Sequence, residues 1–243
     1  MIRVIVSGAC GHMGQILTAA VEKDPETALA AGVDAFAEEE GIFKTFSDDI
    51  PEADIIIDFS HHTAVGAILE FAKKRQLPVI IATTGHDDAE KALINEAAGE
   101  IPVFYSGNMS LGIAILVQLA KKTAAAFPDA DIEIVEVHHN RKLDAPSGTA
   151  AMLANAVKEV RPEAELVYGR SGNCKRQPNE IGMHSLRMGN IVGIHEVIIS
   201  TQTQAITLKH EAFDRGLFAD GAISAAKAMM GRGAGLYGMQ DII

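Results

Sequence analysis

Apolar residues fall in short unbroken blocks through the first hundred positions and in alternation through much of the second hundred. Residues 2–7 (IRVIVS) form a β-branched block, followed by GACGHMG and a helical apolar period to about Lys23. Further blocks at 30–33, 53–59 (ADIIIDF), 78–82 (PVIIA) and 102–105 predict four more strands, with helices over about 63–75 and 87–98. Strands read as continuous apolar runs when both faces are buried. Separated by helices, they imply right-handed βαβ units on a parallel sheet.

The rhythm changes after about residue 110. An apolar-periodic helix is predicted over 111–127, closed by Pro128, then a strand at 132–138 and a helix over about 147–160. Strand-like stretches follow between 165 and 211. Among them IHEVIISTQTQAITLKHEA alternates on either side of a Thr-Gln turn, as an antiparallel hairpin does. A last Ala-rich helix over about 216–230 is expected to return to the first half. The fold class is therefore α/β: a doubly wound parallel sheet plus a smaller α+β domain with an open mixed sheet.

Gly8-Ala9-Cys10-Gly11-His12-Met13-Gly14 joins the first strand to the first helix. Gly8 and Gly11 allow a tight turn and close approach of the backbone, and Gly14 lets helix and strand pack closely. Amides at the helix start, near His12 and Met13, can hold a pyrophosphate. This makes the first half a Rossmann-like dinucleotide site; a purely structural turn is the alternative. Asp34 ends the second strand, where a carboxylate accepts from both ribose hydroxyls of NAD and repels the 2′-phosphate of NADP. Ala35 supplies no cation for that phosphate. NADH is thus the expected cofactor, with NADPH second.

Composition adds limits. The 243 residues are 48% hydrophobic and 5% aromatic without Trp, so the core is Ala, Ile, Val and Leu, as suits helices on a parallel sheet. Cys10 and Cys174 make neither a disulfide framework nor a metal spacing, consistent with a reducing compartment. MIRVIVSG runs straight into the first strand, so no signal peptide is expected, and no apolar run reaches the roughly 18 residues of a spanning helix. A cytoplasmic protein with no membrane partner is expected. The net charge of −11 argues against nucleic acid as a bulk partner. An anionic substrate then requires positive charge concentrated locally.

One stretch does this: EIVEVHHNRKLDAPSGTA at 133–150. His138, His139, Arg141 and Lys142 follow a strand, and Pro146-Ser147-Gly148-Thr149 opens a helix whose amides, hydroxyls and dipole suit a carboxylate or phosphate. Zinc on the two histidines lacks further ligands, so no metal is expected. A Ser147–His138–Asp144 hydrolase lacks the G-x-S-x-G elbow. A solvated surface loop is the remaining alternative.

The run EVHHNRKLDAPSGTA resembles the signature of the dihydrodipicolinate reductases, E-x-H-H-x-x-K-x-D-x-P-S-G-T-A. VSGACGHMGQ, ATTG at 82–85, SGNMSLG at 106–112 and FADGA at 218–222 also correspond, so the resemblance spans essentially the whole chain. It implies NAD(P)H-dependent reduction of 4-hydroxy-tetrahydrodipicolinate (dihydrodipicolinate), a cyclic dicarboxylate, to tetrahydrodipicolinate in lysine and diaminopimelate biosynthesis. By motif, His138 is the general acid and Lys142 stabilises developing charge and helps bind a carboxylate. His139, Ser147, Gly148 and Thr149 grip the substrate carboxylates. Histidine suits proton delivery because its unperturbed pKa of about 6.5 lies near neutrality. Gly8, Ala9, Cys10, Gly11, His12, Met13, Asp34, Ala82, Thr83, Thr84, Ser106, Gly107, Asn108, Met109 and Phe218 are implied as cofactor-binding. Ala35 and Met109 depart from residues that many or some members carry, basic and aromatic respectively. The resemblance implies a dinucleotide-binding domain of residues 1–109 and 216–243, and a substrate-binding and oligomerisation domain of 110–215. It also implies closure of the two on each other and a homotetramer. Competing readings are another two-domain dehydrogenase of small acids, acting on an amino acid or semialdehyde, and an NADH-sensing regulator that turns nothing over.

Overall fold

In chain order the elements are β1 (Ile2–Ser7), α1 (His12–Lys23), β2 (Thr27–Val33), β3 (Ile42–Phe43), β4 (Ile55–Asp58), α2 (Val65–Arg75), β5 (Val79–Ile81), α3 (Asp88–Ala97) and β6 (Pro102–Tyr105). They continue with α4 (Leu111–Ala126), β7 (Asp131–His138), α5 (Gly148–Val160), β8 (Glu165–Tyr168), β9 (Glu180–Arg187), β10 (Gly193–Ser200), β11 (Ala205–Ala212), α6 (Gly216–Met229) and β12 (Gly235–Tyr237). This is a computed structural model describing residues 1–38 and 41–243. The chain forms two units, Met1–Leu111 with Arg215–Ile243, and Gly112–Asp214.

The first unit is a seven-stranded parallel sheet in the order β12-β6-β5-β4-β1-β2-β3. Val4–Val6, Ile55–Ile57 and 79–81 are wholly buried, which is why these strands read as unbroken apolar runs. Parallel strands release all their following loops at one edge. The loops at 8–11, 34–37, 59–62, 82–87 and 106–110 therefore share that edge, where ligands bind open α/β sheets. Two glycines set the close packing. A Cβ on Gly14 would stand 1.9 Å from the Gly8 carbonyl oxygen, and one on Gly221 of α6 would stand 1.7 Å from that of Met109. α6 packs on α1, so the last helix belongs to this unit.

The second unit is a mixed five-stranded sheet, β11-β10-β7-β9-β8, with β7 parallel to β9 and antiparallel to β10. One face is closed by α4 and α5 through Leu116, Ala120, Leu153 and Val157 against Ile132, Ile134, Val197 and Ile199. The other face, with Val135, Val137, Ile194 and Ile198, is half-buried, and among the described residues no helix of this unit packs on it.

The fold class is the one the sequence predicts. β2 begins three residues earlier than the apolar block indicates, and β3 and β12 were not foreseen. Strands of two and three residues at sheet edges have no room for a period. Among the described residues no helix is long and apolar enough to cross a membrane.

Candidate active site

In the second unit the alternation of β7 turns Ile132, Ile134, Glu136 and His138 to the covered face. A carboxylate there, with the Glu136 side chain 1% exposed, needs strong partners. Arg187, opposite His138 in the β7–β9 register, supplies them in a fork: Nη2 to Oε1 at 2.7 Å and Nη1 to Oε2 at 2.9 Å. His138 Nδ1 lies 2.5 Å from Oε2, and the Ser147 amide donates to Oε1 at 3.2 Å. Burial alone would raise the Glu136 carboxyl pKa. Hydrogen bonds from Arg187, Ser185 and His138 outweigh it and hold it down at about 2. The carboxylate thus fixes His138 through Nδ1, leaving Nε2 for chemistry. That nitrogen lies beside Gly193, whose hypothetical Cβ would approach it to 3.1 Å.

His195 meets His138 edge-on, ring centroids 5.1 Å apart, and its Nε2 is 2.9 Å from Ser147 Oγ. Burial, with the neighbouring His138, lowers its pKa to about 4, so it is neutral at pH 7. Ser147 caps α5, its Oγ accepting from the Ala150 amide at 3.2 Å. Its amide and hydroxyl are both engaged inside the protein, and the residue is 2% exposed. The hydroxyl expected on a substrate carboxylate therefore has a structural task, and Gly148 is the exposed residue of this helix start.

The intervening loop is pinned to the β9–β10 turn. The His139 amide donates to Ile191 O at 2.8 Å, and Arg141 Nη2 to Asn190 Oδ1 at 2.6 Å. Lys142 Nζ is 2.9 Å from Asp144 Oδ1. The Ser147–His138–Asp144 set is not assembled, since Ser147 pairs with His195 and Asp144 with Lys142. Among the described residues no group of three or more His, Cys, Asp or Glu side chains could hold a metal ion.

In the first unit, α1 follows Gly11 with no side-chain cap and no acidic residue in its first turn, although the protein is strongly acidic. Arg215, which precedes α6, brings Nη1 to 3.5 Å from His12 Nδ1 at the same helix start. An uncapped helix start with a cation beside it fits a pyrophosphate. Asp34 Oδ2 accepts from the Cys10 amide at 3.0 Å and Oδ1 from the Phe36 amide at 2.9 Å, so the carboxylate is docked on the glycine loop.

Ala82 and Thr83 are buried and Thr84 is exposed after β5. Beside them Asp58, 1% exposed, accepts from the Ser60 hydroxyl and amide. Its Oδ2 has no well-formed hydrogen bond, although the Ser7 and Thr83 hydroxyls stand near, and burial pushes its pKa up. His86 Nε2 is likewise buried without a partner. Unsatisfied polar atoms at the ligand edge of the sheet suit a polar cofactor. Ser106 Oγ bonds the backbone of Asn108 and shapes the turn around Gly107. Met109 is 1% exposed, so its side chain is core. Phe218 is half-buried in the first turn of α6.

Glu136, Arg187, His195 and Asp58 were missed by sequence reasoning. Glu136 had a signal: two residues before His138 on an alternating strand, it had to share the covered face and demand a cation. Arg187 and His195 had none, because register alone brings them there.

Family models described as dihydrodipicolinate reductase, N-terminus and C-terminus, match residues 2–109 and 112–243. The 4-hydroxy-tetrahydrodipicolinate reductase of Caldanaerobacter subterraneus subsp. tengcongensis is 45% identical, with 100% of this chain and 98% of that one covered. The enzyme of that name from Clostridium botulinum is 42% identical at the same coverage. A dipicolinate-bound dihydrodipicolinate reductase from Paenisporosarcina sp. TG-14 superposes with a TM-score of 0.85 at 26% identity over 100% of both chains. A probable dehydrogenase from Thermotoga maritima, at 11% identity, 99% and 92% coverage and a TM-score of 0.66, shares the fold alone.

Proposed function

The chain belongs to the dihydrodipicolinate reductase family, and from that premise we propose that it reduces 4-hydroxy-tetrahydrodipicolinate to tetrahydrodipicolinate, on the route to diaminopimelate and lysine. The observation that carries this reading is the Glu136–His138 pair, a histidine held through one nitrogen beside a cationic loop and a helix start. The first unit is the cofactor domain, and the second binds the substrate and assembles the oligomer.

A bound nicotinamide supplies the hydride. Gly8–Met13 hold the pyrophosphate, Asp34 the ribose next to the adenine, and Ala82–Thr84 with Ser106–Met109 the nicotinamide end, where Met109 contributes backbone. Phe218 lies against the cofactor. NADH is preferred over NADPH because a carboxylate at 34 and an alanine at 35 offer no cation to a 2′-phosphate. His138 delivers the proton to the ring carbon from Nε2, while Glu136 holds the opposite nitrogen and so fixes the direction of the ring. His139, Lys142, Gly148 and Thr149 take the carboxylates, and Ser147 keeps their helix start in place. Exchange of Asp144 for a substrate carboxylate frees Lys142 to stabilise charge on the substrate. The bare face of the second sheet, with Val135, Val137, Ile194 and Ile198, is where copies pair to make a homotetramer.

Calorimetric titration with dipicolinate in the presence of NADH tests the carboxylate grip. A hydrogen bond to a charged group contributes about 1.5–3 kcal/mol, so Lys142→Ala should weaken dipicolinate by about ten- to a hundredfold. Asp144, left behind, is 59% exposed and stays solvated. Equal affinity in wild type and variant would remove Lys142 from the site.

A further inference from the structure

His195 is 4% exposed and stands opposite Glu136 in the β7–β10 register, yet proton delivery from His138 gives it no task. β10 turns Gly193, His195, Val197 and Ile199 to the covered face, so its first residues border the general acid. Gly193 stands beside His138 Nε2, where a Cβ would approach to 3.1 Å, and the His195 ring meets the His138 ring edge-on.

The protons at Ser147 can be counted. Its hydroxyl has one hydrogen and, among the described residues, two polar neighbours: the Ala150 amide at 3.2 Å and His195 Nε2 at 2.9 Å. The amide can only donate. Nε2 can donate or accept, and the other ring nitrogen, Nδ1, is buried with no partner. With a proton on Nε2, Ser147 would accept twice, leaving both its own hydroxyl hydrogen and Nδ1 unsatisfied. With Nε2 bare, the hydroxyl donates to it and only the Nδ1 proton is left over. One unsatisfied buried group costs less than two. A doubly protonated ring is disfavoured as well, because burial and the neighbouring His138 hold its pKa at about 4. His138 must itself carry a proton before delivery, and a second cation with its ring centroid 5.1 Å away would oppose that.

We infer that His195 is a positioning residue for the substrate carboxylates: as a neutral acceptor at Nε2 it holds the Ser147 hydroxyl, and through it the start of α5, in place against His138. Ser147 is gripped from three directions, its amide by Glu136, its hydroxyl hydrogen by His195 and its Oγ by the Ala150 amide. Glu136 also holds His138 Nδ1. The general acid and the helix start carrying Gly148 and Thr149 are therefore joined by two routes, one through Glu136 and one through His195. A carboxylate bound at that helix start then lies at a set distance from the proton donor, as productive orientation requires. The second route carries no charge, so it steadies the site without competing with His138 for a proton. This inference rests on the reading of the second unit as the substrate domain with His138 as its acid.

Calorimetry with dipicolinate in the presence of NADH tests it on wild type, His195→Leu and His195→Gln, with KM and kcat measured on the same proteins. Leucine fills the space without an acceptor, whereas the glutamine side-chain oxygen reaches the place of Nε2. The leucine variant should bind dipicolinate about tenfold more weakly, the order of one hydrogen bond, and raise KM by a like factor. Its kcat should stay within about threefold of wild type, since Glu136 still holds His138. Glutamine should bring the affinity back to within about threefold. In wild type, nitrogen NMR of the labelled protein at neutral pH should show His195 uncharged with its proton on Nδ1, a signature that depends on no variant folding. A proton on Nε2 or a charged ring overturns the inference. So does a leucine variant that binds dipicolinate like wild type, a loss confined to kcat, or a glutamine variant as weak as leucine. Wild type that binds no dipicolinate overturns the functional reading, and the inference falls with it.

Discussion

His138→Gln is expected to lower turnover by about a hundredfold to ten-thousandfold, the usual contribution of a positioned general acid. Glutamine keeps a polar group near Glu136 but cannot carry a proton that it then releases. The loss should appear in kcat at saturating substrate. NADH affinity, measured by the fluorescence change on binding, should be unaltered, because every group assigned to the cofactor belongs to the first unit. A variant that turns over like wild type would show that the proton comes from elsewhere. One that loses NADH affinity would contradict the division of labour between the units.

Arg187→Met should be the most damaging change to stability. It leaves the Glu136 carboxylate buried, with Ser185, His138 and the Ser147 amide but no guanidinium. Removing one partner of a buried ion pair typically costs about 3–5 kcal/mol, and thermal or urea unfolding would read it. The pH dependence carries the sign. In wild type the Glu136 pKa is depressed to about 2, so its contribution to stability is present above the ordinary glutamate range and is lost as pH falls towards 2. Without Arg187 the strongest hydrogen-bonding counterweight to burial is gone and that pKa rises, so the variant's deficit is largest at neutral pH and shrinks on acidification. His195 adds a separate effect in both proteins. Its pKa is depressed to about 4, so stability falls as pH drops from about 6.5 towards 4. A deficit that is small, or that does not change with pH, would mean that Glu136 is not held as a charged group by Arg187.

Much of the fold was legible because its strongest signals are local. Buried parallel strands announce themselves as apolar blocks, and the hairpin of β10 and β11 by alternation about a polar turn. β3 and β12 were not legible, being too short to carry a period. The glycine loop, Asp34 and the histidine–lysine loop could be picked out because each is a chain-local constellation. The support beneath them could not. Arg187 reaches Glu136 only through the β7–β9 register, and His195 reaches Ser147 only through β10, each across about fifty residues of chain. Ser147 shows the same limit from the other side. Its motif marks a helix start suited to anions, whereas its hydroxyl is taken by Ala150 and His195.

The central claim is best tested by NADH absorbance in the presence of 4-hydroxy-tetrahydrodipicolinate generated in situ, with NADPH in a parallel arm. The account predicts oxidation that depends on that substrate, yields tetrahydrodipicolinate and is faster with NADH than with NADPH. Absence of substrate-dependent oxidation with either cofactor, in protein that binds NADH, would contradict it.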